Sequence, residues 1–231
     1  MSAKLIADFL KACPVFAGLP AEEIVALSAA AREERYPARA YIFSEGDAPA
    51  WFWLVRSGRI KILRQSPGGA DVVLEILGPG EPFGGVAALQ GRAYPATAQA
   101  LEPSTVVRIA PEPIVAMVQH HPALVPEMMR VLGRRLRAAH DSVKSLASDP
   151  VEARLAARLL RLAEEEGARD PRGLVLPFRL TRRTLAEMSG TTVETTIRIV
   201  RRWLAKGIVS EEDDQMIVPS LETLRAIAEA D

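Results

Sequence analysis

The sequence has a single cysteine, Cys13, and this scarcity excludes several kinds of site. One thiol cannot form a disulfide within the chain, nor supply the several thiolates of an iron–sulfur cluster or a cysteine-based zinc site. We expect Cys13 to be a small buried hydrophobe. No run approaches the roughly 20 apolar residues of a membrane span, and the N-terminal stretch lacks the features of a signal peptide. These absences predict a cytoplasmic protein with no membrane partner.

Catalytic motifs are also missing. The sequence shows no Ser-His-Asp or Cys-His arrangement, no metal-ligand spacing and no phosphate-binding loop, so no enzymatic role is predicted. The formal net charge is zero, and the total therefore says nothing about nucleic acid. Its distribution is uneven, because residues 181–206 hold six basic and two acidic residues, whereas residues 207–231 hold one basic and seven acidic residues. Phosphate contacts are therefore expected only in the first of these segments.

The basic segment has the pattern of a helix-turn-helix. Thr181 can cap a first helix, Gly190 can adopt the backbone of a tight turn, and Thr191 or Thr192 can cap a second helix. The second helix would have one face for DNA and another for the core. The residues expected on its buried face are Thr196, Ile199, Val200 and Trp203.

Glu194 and Arg198 lie one helical turn apart, and two interpretations of them stay open. In the first, Glu194 accepts a hydrogen bond from cytosine and Arg198 donates two to guanine. In the second, Glu194 forms a capping box with Thr191 and a salt bridge with Arg198. Val193 and Ile197 complete the predicted base-reading set. Phosphate contacts are predicted for Thr181, Arg182, Arg183, Thr192, Thr195, Arg201 and Arg202, although the four arginines fit a solvated face equally well.

Acidic residues mark the region after the second helix. The turn Glu211–Asp214 is predicted to join a strand at Ile208 and Val209 to a strand at Met216–Val218, as a wing. Its four acids make it a poor phosphate binder. Before the helix-turn-helix, residues 167–173 are predicted to form a loop.

Residues 36–109 contain many short runs of β-branched and aromatic side chains separated by glycine-containing turns. This spacing predicts an antiparallel barrel or sandwich. Gly84 and Gly85 interrupt it where the backbone must approach a neighbouring strand or a ligand. Residues 5–31 are predicted to be helical, and the predicted strands are 41–43, 51–55, 59–63, 72–77, 96–101 and 105–109.

The longest predicted helix runs from Leu124 to Leu146, with Pro126 in its first turn. Apolar residues recur along it at a spacing close to a heptad, which favours self-association, although a core helix lying on the barrel is the alternative. Asp149 and Pro150 end the helix, so we predict domains at residues 1–122, 123–148 and 149–231. The predicted dimer contacts are Met128, Leu132, Leu136, Ala139, Val143 and Leu146.

Several segments together resemble the CRP/FNR superfamily of bacterial transcription regulators. They are Phe43–Asp47, Trp53–Ile62, Gly80–Gly84, Leu180–Arg182 and Thr192–Thr195. The resemblance implies an α+β fold with a cyclic-nucleotide-binding-like antiparallel β-barrel of jelly-roll type, a long dimerisation helix and a C-terminal winged helix-turn-helix. It also implies a homodimer on a palindromic site in double-stranded DNA, control by a signal in the barrel, and RNA polymerase as a partner.

The sequence leaves several effectors open. At the positions where the cyclic-AMP branch holds the ribose, phosphate and base, this chain has Gly85, Tyr94-Pro95 and Ala139-His140. Cyclic AMP held in the usual way is not expected, although Arg92 is near enough to substitute. Residues 94–102 look more like the FNR and nitric-oxide-responsive branches, so a haem-based sensor of nitric oxide or carbon monoxide and a cyclic-nucleotide-binding regulator both stay open. His140 is the candidate iron ligand, with a plain surface role as its alternative. The residues assigned to the effector pocket are Gly84, Gly85, Arg92, Tyr94, Ala96 and His140.

Overall fold

The computed structural model describes residues 3–66 and 68–230. The chain forms two compact units: the first contains the described residues up to 64 together with 74–138, and the second contains residues 65–73 together with those from 139 onward. No helix among the described residues is both long and apolar enough to cross a bilayer.

The chain before residue 110 forms two four-stranded sheets, and every strand pair with a described register is antiparallel. The strands are β1 (Ala31–Tyr36), β2 (Tyr41–Phe43), β3 (Phe52–Ser57), β4 (Ile60–Gln65), β5 (Asp71–Leu77), β6 (Pro82–Phe83), β7 (Thr97–Ala100) and β8 (Ser104–Ile109). They lie in the orders β1-β8-β3-β6 and β2-β7-β4-β5. The predicted antiparallel jelly-roll fold is confirmed.

Strand β1 is missed by the sequence pattern, which indicates helix up to residue 31 and strands only from residue 41. The segment is charged, and its strand conformation depends on pairing with β8 from Ala31↔Ile109 to Tyr36↔Ser104. Arg108 Nε lies 2.8 Å from Glu34 Oε1 across this pair. Charged side chains are typical of an edge strand, where they discourage pairing with other chains.

Helices cover the barrel on one side. They are α1 (Ala3–Ala12), α2 (Ala21–Ala30), α3 (Gly85–Gln90) and α4 (Pro111–His120), with short 3-10 helices at Pro14–Phe16 and Pro122–Leu124. A core packs between α1, α2, α4 and the side chains of Phe52, Leu54, Val107 and Ile109. Cys13 lies in this core at 1% exposure, as predicted, and burial raises the pKa of its thiol to about 12.

Helix α5 (Val125–Ser148) is the predicted long helix, with Pro126 in its first turn. Met128, which is predicted as a dimer contact, packs against the N-terminal core, whereas Met129 is 55% exposed. A shift of one residue rotates a side chain by about 100° around a helix, and only Met129 continues the alternating steps of three and four. We define the α5 seam as the exposed apolar residues at this spacing, which are Val125, Met129, Leu132, Leu136, Ala139, Val143 and Leu146.

Among the described residues, the second unit contains the C-terminal end of α5, four further helices and one small sheet. Its elements are α6 (Val151–Glu166), β9 (Ala168–Asp170), β10 (Gly173–Val175), α7 (Arg182–Ser189), α8 (Val193–Ala205), β11 (Ser210–Glu212), β12 (Gln215–Val218) and α9 (Leu221–Ala228). The sheet order is β11-β12-β10-β9. Two predictions need correction, because residues 168–175 form a hairpin instead of a loop, and the strand before the wing begins at Ser210 instead of Ile208.

Candidate DNA-reading surface and barrel interior

Two threonines cap the helices of the helix-turn-helix. Thr181 Oγ1 accepts a hydrogen bond from Thr184 N at 3.1 Å, and Thr192 Oγ1 accepts one from Thr195 N at 3.2 Å. Gly190 ends α7 in the left-handed conformation, with φ 59°. The cap of α8 is therefore Thr192, and the predicted capping box between Thr191 and Glu194 does not form.

The buried face of α8 is the predicted one. Thr196, Ile199, Val200 and Trp203 are all buried, and Thr196 Oγ1 donates to Thr192 O at 3.0 Å, which satisfies its hydroxyl in the core. Trp203 is 0% exposed, and its Nε1 donates to Glu152 Oε1 at 2.8 Å. This contact fixes the rotation of α8 about its own axis.

The predicted base-reading residues lie on the opposite face. Glu194 and Arg198 are exposed, and Val193 and Ile197 are half-buried beside them. Within the described part of the chain, Glu194 and Arg198 form no salt bridge with each other or with a third residue. The carboxylate and the guanidinium are therefore both available to an external partner.

Only some of the predicted phosphate-binding arginines are available. Arg183 and Arg201 are exposed and have no ion pair with any described residue. Arg182 Nη1 instead lies 2.6 Å from Glu211 Oε1, and Arg202 pairs with Glu152. Two of the four cations are thus held within the protein.

Glu152 is a residue that sequence reasoning missed. It is the second residue of α6, and it accepts hydrogen bonds from both Arg202 and Trp203 on α8. Burial alone would raise the pKa of this carboxyl, but these hydrogen bonds outweigh burial and lower it. An acid at a helix start usually indicates only a favourable interaction with the helix dipole, so the sequence carries no signal for this contact.

The acidic wing is paired with arginines of its own unit. Besides Glu211, Glu212 pairs with Arg172, and Asp214 Oδ1 lies 3.4 Å from Arg179 Nη2. Arg172 also binds Asp170, and its hydrogen bonds lower the pKa of that carboxyl to about 2. The wing therefore neutralises protein cations, and it offers no basic side chain of its own to DNA.

The barrel interior is filled by aromatic side chains. Tyr94 stacks on Phe43 with ring centroids 3.8 Å apart, and Phe83 stacks on Trp53 with ring centroids 6.0 Å apart. The Tyr94 hydroxyl donates to Trp51 O at 3.0 Å and accepts from Trp51 N at 3.1 Å and Trp53 Nε1 at 3.2 Å. Tyr94 is 3% exposed. The Tyr94 hydroxyl is thus buried, and its hydrogen bonds are all made to Trp51 and Trp53.

The other residues assigned to the effector pocket differ in their surroundings. A Cβ on Gly84 would lie 2.9 Å from Trp53 Cδ1, and one on Gly85 would lie 2.5 Å from Phe52 Cδ2. The close neighbour of both glycines is therefore strand β3. Ala96 is buried, whereas Arg92 and His140 are exposed, His140 on the part of α5 in the second unit.

A different cavity, of about 360 Å³, lies in the first unit and is lined almost entirely by apolar side chains. Its walls include Val86 and Leu89 of α3, Val115 of α4, and Met129 and Leu132 of the α5 seam. Of the predicted effector residues, Gly85 alone lines this cavity. Sequence reasoning missed the cavity because it did not predict α3.

Comparisons with known proteins agree with this architecture. Residues 33–121 match the family described as cyclic nucleotide-binding domain, and residues 153–227 match the Crp-like helix-turn-helix domain. The chain is 30% identical to the cyclic AMP receptor protein of Thermus thermophilus over 200 residues, which cover 87% of this chain and 89% of that one. It is 26% identical to the transcriptional activator protein anr of Pseudomonas aeruginosa, over 79% of this chain and 75% of that one.

A solved structure shares the fold at lower sequence identity. FixK2 from Bradyrhizobium japonicum superposes with a TM-score of 0.77 at 18% identity, covering 87% of this chain and 98% of that one. The similarity to curated relatives extends over both units, and the barrel precedes the helix-turn-helix in the order of the two matched domains. The chain therefore belongs to the CRP/FNR superfamily of transcription regulators.

Proposed function

We propose that this protein regulates transcription as a homodimer that binds a palindromic site in double-stranded DNA, with a signal received by the first unit controlling its affinity. The observation that supports a dimer is the α5 seam. Its large side chains are exposed in a single chain, including Leu136 at 58%, Val143 at 67% and Leu146 at 51%. A heptad-spaced apolar face of this length is typical of a helix that pairs with a second helix.

The reading of DNA is assigned to α8. Glu194 and Arg198 are exposed, free of internal ion pairs and one turn apart. An arginine that donates to guanine O6 and N7, or a glutamate that accepts from cytosine N4, contributes about 1–3 kcal/mol of base discrimination. Arg183 and Arg201 supply phosphate contacts, and Val193 and Ile197 contribute apolar contacts beside them.

We infer that the signal is something other than cyclic AMP held by an arginine–serine pair. By the resemblance, Tyr94 stands at the position of that arginine; its side chain stacks on Phe43 inside the barrel, and its hydroxyl is hydrogen-bonded to Trp51 and Trp53. Phosphate without charged donors would be desolvated at a large cost. The relative from Thermus thermophilus is named for cyclic AMP, so calorimetry with cyclic AMP is the direct check. We expect no heat of binding, and a stoichiometric exothermic signal would contradict this assignment.

Haem sensing through His140 is the second candidate for the signal. The imidazole is exposed on α5 and is available to a ligand. An absorbance spectrum of protein purified without oxygen distinguishes a haem-containing sensor from one whose signal is colourless. A haem Soret band that is lost in His140→Ala would establish this candidate, and a colourless protein would remove it.

A selection of binding sites from random DNA tests the main proposal. We expect a palindromic sequence and, in sedimentation experiments, a dimer. Arg198→Ala should abolish the preference for that sequence while leaving weak, salt-sensitive binding, because phosphate contacts remain. Arg201→Ala, one turn further along α8, is the matched control and should weaken all DNA equally. Selection of no palindrome would refute the proposal.

The proposed location and the proposed protein partner follow from this activity. A bacterial regulator that binds promoter DNA works in the cytoplasm and acts on RNA polymerase, and no catalytic step is needed for that role. A pull-down of RNA polymerase by protein bound to its selected site tests the partner.

A further inference from the structure

Arg154 on α6 connects the end of α5 to the turn of the helix-turn-helix. Its Nη1 donates to Asp149 O at 3.0 Å, its Nε donates to Ser189 O at 3.0 Å, and its Nη2 donates to Gly190 O at 3.3 Å. Asp149 directly follows α5, Ser189 is the last residue of α7, and Gly190 begins the turn that precedes α8. One side chain therefore holds three carbonyl oxygens from two separate segments.

The chemistry suits an arginine at this position. The last carbonyl groups of a helix have no intrahelical donor, and they form the negative end of the helix dipole. Arg154 satisfies such groups at the ends of both α5 and α7. Its planar fork fixes the directions of its donors, whereas a lysine ammonium acts as a point charge and does not fix the relative positions of three acceptors.

We call the meeting of the end of α5, α6 and the turn the joint. Two further contacts hold these segments together. A Cβ on Gly190 would lie 2.7 Å from Leu146 Cδ2, so the turn packs directly on the last residue of the α5 seam. Arg158, one turn after Arg154 on α6, donates from Nη2 to Ser142 Oγ on α5 at 2.6 Å. The C-terminal end of α5, α6 and the turn are thus fastened together by several independent contacts.

We propose that Arg154 is a positioning residue that fixes α8 relative to the C-terminal end of α5, within the second unit, and so sets the spacing between DNA half-sites that the dimer accepts. The inference rests on the proposed dimeric function. If two chains meet along their seams, the joint at Arg154 determines where each α8 reaches the DNA. Neither Arg154 nor its acceptors need to touch DNA for this role.

The test varies the spacer between the two half-sites of the selected palindrome. One added or removed base pair displaces a half-site by about 3.4 Å and rotates it by roughly 35°. The wild-type dimer then loses the base contacts of one α8, and we expect its affinity to fall by about thirtyfold or more. Arg154→Ala loosens the joint and should reduce this spacing penalty severalfold.

Two more variants make the result decisive. Arg154→Lys keeps the cation but loses the fork, so it should also reduce the penalty, and it decides the question if Arg154→Ala does not fold. Arg161→Ala is the matched control, since Arg161 lies on the same helix and, among the described residues, forms an ion pair only with Glu165, at 2.9 Å. It should keep the wild-type penalty. Simple damage to the helix-turn-helix would weaken every duplex alike and leave the penalty unchanged.

The outcomes distinguish the positioning role of Arg154 from the dimeric function. A wild-type protein without any preference for a palindrome would overturn the dimeric function itself. A wild-type protein with a clear spacing penalty that Arg154→Ala and Arg154→Lys both retain would overturn the positioning role and leave the dimeric function intact.

Discussion

Replacing Glu211 with glutamine should release Arg182 and add one phosphate contact to DNA binding. Arg182 Nη1 and Glu211 Oε1 are 2.6 Å apart, and their side chains are 24% and 37% exposed. A partly exposed pair of this kind contributes only about 0–1 kcal/mol to stability, so the fold should tolerate the change. In the wild-type protein, a DNA phosphate must compete with Glu211 for the same guanidinium.

The size of the effect follows from counterion release. Each additional phosphate contact steepens the dependence of log K on log salt concentration by about 0.9, which corresponds to about eightfold tighter binding at 0.1 M salt. Fluorescence anisotropy with a random-sequence duplex, at a series of salt concentrations, measures both quantities. We expect the gain for non-specific DNA, because Arg182 carries no base information.

The matched control is Asp213→Asn. Asp213 lies in the same hairpin, at φ 49°, and has no salt bridge with a described residue. Asparagine tolerates the left-handed conformation, so the substitution removes one charge without straining the turn. An equal gain in both variants would show that the wing acts only through its general negative field. An unchanged salt slope in Glu211→Gln would refute the competition altogether.

Three further predictions concern the first unit and α5. Leu136→Glu places a charge on the α5 seam and should give a monomer in sedimentation velocity, whereas Ala147→Glu, exposed outside the seam, should leave the dimer intact. Tyr94→Phe leaves two N–H groups in the barrel without their partner and should lower the free energy of unfolding by about 1–3 kcal/mol in urea, compared with the exposed control Tyr41→Phe. The Cys13 thiol, with its pKa raised to about 12, is protonated at pH 8 and should react with a thiol reagent only after unfolding. Rapid labelling of the native protein would contradict the burial of Cys13.

The sequence predicts those elements that depend on local pattern. The barrel strands have runs of β-branched and aromatic residues, and the helix-turn-helix has threonine caps around a glycine turn. Strand β1 is different, because its charged segment becomes a strand only through pairing with β8, from Ala31↔Ile109 to Tyr36↔Ser104, far along the chain. Helix α3 is hidden by the two glycines at its start, which favour a turn when only neighbouring residues are considered.

The residues of the candidate site likewise divide into those predicted by local pattern and those whose roles depend on distant partners. The faces of α8 follow from a period of 3.6 residues, so Thr196 and Trp203 are correctly placed in the core and Arg198 on the surface. The roles of Arg182 and Glu152 could not be predicted. Each depends on a partner far away in sequence, and an arginine that can bind phosphate is equally able to bind a carboxylate of its own protein.

If two chains pair through the α5 seam as proposed, the amount of this protein becomes part of its regulation. Chains whose apolar face is covered only by a second copy are stabilised by mass action, and each tenfold increase in concentration adds about 1.4 kcal/mol to the stability of the dimer. A cell that has just begun to make the regulator would hold dilute single chains, which bind DNA weakly and are open to proteolysis. Gene dosage and synthesis rate would then determine how quickly the promoter responds, independently of any small molecule.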